Sequence, residues 1–71
     1  MYLAMERGER CELLEMHGGR LRAVALFRSL EAALYWIAGT VAARAGKGAE
    51  DFEAVPVQVA AGLYQITVNE F

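Results

Sequence analysis

Cysteine, histidine, proline and tryptophan each occur once in these 71 residues, and each scarcity excludes something. A lone Cys11 forms no intrachain disulfide, so the chain reads as one made for a reducing compartment. With His17 as the only histidine and no CxxC or HxxxH spacing, the ligands of a closed metal site are missing. The same shortage leaves no nucleophile–base constellation, so no catalytic, cofactor-binding or metal-ligating residue is assigned. An excess of positive charge is also lacking. Seven Lys and Arg stand against nine Asp and Glu, a net charge of −2, whereas phosphate binders usually carry a basic surplus. Long apolar runs are absent too: the longest uncharged stretches, residues 32–43 and 54–69, are 12 and 16 residues, short of the roughly 20 that span a bilayer. Glu6, Arg7, Glu9 and Arg10 fall where a signal peptide would be apolar. The expectation is a soluble, cytoplasmic chain with no membrane partner.

What is present favours folding. Apolar residues make up 56% and charged residues 23%, the reverse of a disordered composition. Residues 1–71 read as a single α+β domain. At this size a domain buries only about 60% of the surface its unfolded chain exposes. With disulfide and metal excluded, a second subunit or a partner remains as the aid to stability.

The clearest pattern lies at the C-terminal end. Val55, Val57 and Val59 alternate with Pro56, Gln58 and Ala60. After Ala61-Gly62, Tyr64, Ile66 and Val68 alternate with Gln65, Thr67 and Asn69. Period-two alternation around a glycine turn predicts an antiparallel hairpin, and Pro56 places its first strand at an edge or a bulge. Upstream, Ser29 is positioned to cap a helix with Glu31 in its first turn. Leu30, Ala33, Leu34, Ile37 and Val41 form one stripe of that helix, and Gly46-Lys47-Gly48 ends it. Gly18-Gly19 makes a turn between strands at residues 11–16 and 20–27, with residues 1–5 as a further strand. The recurrence of Glu6, Glu9, Glu12 and Glu15 also fits a helix, and strands are the preferred reading. The architecture expected is ββαββ: a four- or five-stranded antiparallel sheet with one helix packed on a face.

That helix is apolar nearly all round. Away from its core stripe lie Ala32, Tyr35, Trp36, Gly39, Ala42 and Ala43, and a sheet covers only one side of a helix. Three coverings are open: the N-terminal segment folded over it, a second copy giving a homodimer through the helix, or a foreign protein anchored on Trp36 and Tyr35. Ala32, Tyr35, Trp36, Gly39 and Ala43 are therefore the candidate partner or dimer interface.

Other chemistry is weaker. His17 beside Gly18-Gly19 reads as a solvated turn residue, and Cys11 as a small buried hydrophobe. Residues 1–28 carry five arginines against four glutamates, whereas residues 46–71 carry Lys47 against Glu50, Asp51, Glu53 and Glu70. Arg20, Arg22 and Arg28 could contact phosphates from one sheet face, but alternation puts Val24 and Leu26 on the same face. Nucleic-acid binding is the alternative, less favoured function. Glu50, Asp51 and Glu53 form a candidate acidic loop for a basic partner. In size and element order the chain resembles compact proteins encoded by phages and mobile elements, including anti-CRISPR inhibitors. That likeness is architectural, rests on no motif and assigns no residue a role. It implies a non-enzymatic protein-binding module acting as a stoichiometric inhibitor of a host complex; a structural homodimeric subunit is a further alternative.

Overall fold

The computed structural model describes all 71 residues as five antiparallel strands in one sheet with one helix on it. The strands are β1 (Tyr2–Arg7), β2 (Arg10–His17), β3 (Arg20–Phe27), β4 (Phe52–Ala60) and β5 (Leu63–Glu70). The helix α1 is Leu30–Ala45, and a short 3-10 turn, Ala49–Asp51, precedes β4. The chain order is thus βββαββ. In space the order is β3-β2-β1-β5-β4, because β5 returns beside β1 after the helix crosses the sheet. β1 is therefore central, hydrogen-bonded to β2 on one side and β5 on the other.

Local chemistry explains each junction. Gly18 and Gly19 have φ of 58° and 78°, the pair of left-handed residues a two-residue type I′ hairpin turn requires. Ser29 Oγ accepts the Ala32 N–H at 3.1 Å and caps α1. At the other end Gly46 is left-handed (φ 69°). There the Lys47 N–H reaches the Ala42 carbonyl at 2.9 Å and the Gly46 N–H that of Ala43 at 3.2 Å, a Schellman-type stop. The strand carrying Pro56 is an edge strand, as its missing donor requires.

The core lies between α1 and one sheet face. Tyr2 and Ala4 of β1, Cys11 and Leu13 of β2 and Ile66 of β5 meet Ala33 and Ile37 of the helix. Leu30, Leu34, Val41, Val24 and Phe27 pack around them. Only nine residues are buried, and several of these are small, so the core is thin.

Three expectations change here. The N-terminal residues form strands within the sheet, so they do not fold over the outer side of the helix. Trp36 is only partly on that outer side: its ring meets Tyr2 edge-on at 6.2 Å and Phe27 at 6.0 Å. Finally, Arg20, Arg22, Val24 and Leu26 do not share one face. The β2–β3 register slips between Leu13 and Leu14, leaving Val24 without a partner between Ala23 and Ala25. Beyond this bulge, parity reverses: Val24 packs on the core, whereas Leu26 lies opposite Glu12 on the far face.

Candidate functional site

Two apolar surfaces remain uncovered, and their chemistry differs. The first lies beside the helix. Leu34, Tyr35 and Ala38 of α1, Ala49 and Glu50 of the 3-10 turn, Phe52 of β4 and Phe71 border a recess of about 440 Å³. The Phe71 N–H donates to the Asp51 carbonyl at 2.9 Å, which fixes the Phe71 backbone at its rim. Tyr35 is 82% exposed and Phe71 79%, so two large aromatic side chains flank an apolar hollow without filling it.

The helix stripe read from the sequence continues from this recess. Tyr35 belongs to both. Ala32, Gly39 and Ala43 follow it along the outer side, and a Cβ added to Gly39 would meet nothing within 4 Å. Ala42, by contrast, is buried within the molecule. The sequence reading missed Phe52 and Phe71, whose partnership with Tyr35 depends on how β4 leaves the 3-10 turn; periodicity carries no signal for that.

The three acidic residues read as one loop have different surroundings. Glu50 borders the recess. The Asp51 carboxylate turns back to accept the Gly48 N–H at 3.3 Å, a local capping bond. Glu53 pairs in register with Asn69 on the sheet's open face. Lys47 is held by Glu70, which raises its pKa mainly through that hydrogen bond.

The second surface is the sheet face away from the helix. One row across it reads Ala23, Leu14, Leu3, Gln65, Val57, and the next reads Leu26, Glu12, Met5, Leu63, Ala60. Leu21 opposite Met16, and Val55 opposite Thr67, extend it on the other side. Glu12, the one charge in these rows, is bonded by Arg7 at 3.0 Å. No element covers this face.

Four pairs tie titratable side chains together: Arg7–Glu12, Arg22–Glu15, Lys47–Glu70 and Tyr64–Glu6. Arg22 bonds Glu15 at 2.9 Å and holds that carboxyl below the ordinary range, with Tyr2 and Arg44 adding to the effect. Tyr64 donates to Glu6 at 2.8 Å, and this bond raises its pKa. Burial, with Glu6 nearby, pushes the Cys11 thiol up, which works against a thiolate nucleophile. No group of three or more His, Cys, Asp or Glu side chains is placed to hold a metal ion, and no helix is long and apolar enough to cross a membrane. With Arg7 and Arg22 paired, Arg10 and Arg28 sit at one end of the β2–β3 hairpin and Arg20 at the other. They do not form a continuous basic track. Comparison with protein-family models, curated proteins and solved structures returns no match.

Proposed function

We propose that this chain is a non-enzymatic protein-binding module that grips a partner through the recess beside α1. The observation that carries this reading is the exposure of Tyr35 and Phe71, both of which line one apolar hollow. Aromatic anchors at the edge of a pocket are typical of interface hot spots, where a few residues supply most of the binding energy. Glu50, bordering the recess and in no ion pair, favours a partner whose apolar anchor is flanked by Lys or Arg. Ala32, Gly39, Ala43 and the exposed edge of Trp36 extend the footprint along the helix, where small side chains let another backbone approach. Such a module works by occupancy. A phage- or mobile-element-encoded stoichiometric inhibitor of a host complex, working in the cytoplasm, is the setting that the architectural resemblance implies.

The test is capture from lysate by the immobilised chain, comparing wild type with Tyr35→Ala/Phe71→Ala and with Gly39→Arg, all checked by circular dichroism. The reading predicts a discrete protein retained by wild type and lost by both folded variants. Retention of nothing, or equal retention by all three, would sink it. Glu50→Lys should weaken capture of the same protein at low salt and matter less at high salt.

A further inference from the structure

The open face of the sheet differs from the recess in one decisive respect: it holds no aromatic residue. Tyr2, Phe27, Phe52 and Tyr64 all lie on the helix side, and Trp36, Tyr35 and Phe71 belong to the helix and its groove. Leu, Met, Val and Ala make up most of the open face instead, interrupted by Gln65, Thr67 and the Arg7–Glu12 pair, with Leu21 and Leu26 half exposed at its β3 edge. We propose that this face is covered by a second copy of the same chain, the two sheets stacking face to face about a two-fold axis that passes near Leu3.

Three observations favour a second copy over a foreign protein. The first is composition. Hot-spot surfaces for foreign partners are enriched in Trp, Tyr and Arg, with Leu and Val under-represented, whereas lasting homodimer interfaces resemble a domain core cut in half. The open face is of the second kind. The second is area. Five strands spaced about 4.8 Å apart, each carrying six to nine residues at about 3.3 Å, present roughly 500–700 Å². Two such faces bury about 1,000–1,400 Å², overlapping the low end of stable specific interfaces, which begin at about 1,200 Å². The third is arrangement. β1 is the central strand, and its first four residues are apolar on both sides, Tyr2 and Ala4 toward the helix and Leu3 and Met5 toward the open face. In a two-fold stack, central strand meets central strand, so the most apolar rows coincide. Arg10 at the start of β2 and Glu53 near the start of β4 fall at the rim, while Glu12 enters the stacked area already paired with Arg7. Aligned stacking at about 10 Å separation is the ordinary geometry for two twisted sheets.

Sedimentation equilibrium of the full chain decides this, alongside Leu3→Arg, Leu21→Glu/Leu26→Glu and Tyr35→Ala. The expected result is twice the 7.8 kDa chain mass for wild type and Tyr35→Ala. Leu3→Arg, which sets like charges against each other at the axis, should give the single-chain mass with its circular dichroism retained. If Leu3→Arg unfolds, the Leu21→Glu/Leu26→Glu variant decides, since those half-exposed side chains lie outside the core. A wild type of single-chain mass up to about 100 μM overturns the proposal. So does a double-mass species that survives the β3 variant, or one that Gly39→Arg dissociates, which would put the contact on the helix. Tyr35→Ala separates this proposal from the recess: it removes an anchor of the recess and leaves the stacked faces intact.

Discussion

Tyr35 and Trp36 are neighbours in the chain whose side chains do different work. Trp36 is 38% exposed, yet it stacks on Tyr2 and Phe27, and such pairs are worth about 0.5–1.5 kcal/mol each beyond burial. Tyr35 makes no aromatic pair. Truncating Trp36 to Ala is therefore expected to lower stability by about 2 kcal/mol, and Tyr35→Ala by less than about 0.5 kcal/mol, read from urea midpoints at equal slope. Trp36 is consequently a poor probe of an interface, and Tyr35 a clean one. Glu15 offers a second test at this scale. Because Arg22 holds its folded pKa below the ordinary range, folding favours the ionised form. That contribution is complete above the unfolded pKa of about 4.3 and fades as pH falls through the folded value. Glu15→Gln is accordingly expected to destabilise at pH 7, with the gap to wild type closing below about pH 4. A gap that is constant with pH would mean that the Arg22 pair contributes nothing through charge.

Among the elements, the ends of α1 and both glycine turns were legible because each depends on one residue type at one position. Ser29 needs only its own oxygen to cap the helix, and Gly46 only its lack of a Cβ. Ser29→Ala is expected to cost about 1 kcal/mol, and Gly46→Ala a similar amount because φ is positive there. Thermal unfolding followed at 222 nm reads both. The β2–β3 and β4–β5 hairpins were legible for the same local reason, as was the edge-or-bulge reading of Pro56, which lies on edge strand β4; the β1–β2 turn at Gly8-Glu9 was not read. The sheet order was not, since the choice of β1 as neighbour for β5 is a long-range pairing that leaves no mark on either strand alone. The bulge at Val24 was equally hidden. After Arg22 the segment runs apolar to Phe27 with no break to mark a bulge, and the extra residue shows only against β2. Leu26 was therefore read onto the face it does not occupy. The candidate site was half legible: helical periodicity put Tyr35, Gly39 and Ala32 outward, while Phe52 and Phe71 joined them through tertiary placement alone.

For the molecule as a whole, the thin core and the uncovered sheet face bear on one quantity. Nine buried residues in one layer leave a domain of this size marginally stable, and stacking two copies adds a second apolar layer that unfolding must also expose. If folding and stacking are coupled, stability depends on protein concentration by mass action, gaining about 1.4 kcal/mol per dimer for each tenfold increase. With a urea dependence of about 2–3 kcal/mol per molar for the pair, the wild-type midpoint is expected to rise by roughly half a molar per tenfold. Leu3→Arg should lower the midpoint and abolish its concentration dependence. Tyr35→Ala should keep that dependence, because the recess lies on the opposite side of the sheet. A wild-type midpoint independent of concentration over two decades would show that the single helix layer suffices to hold the sheet. In that case the open face contributes nothing to folding, and the stability of these residues must be accounted for within one chain.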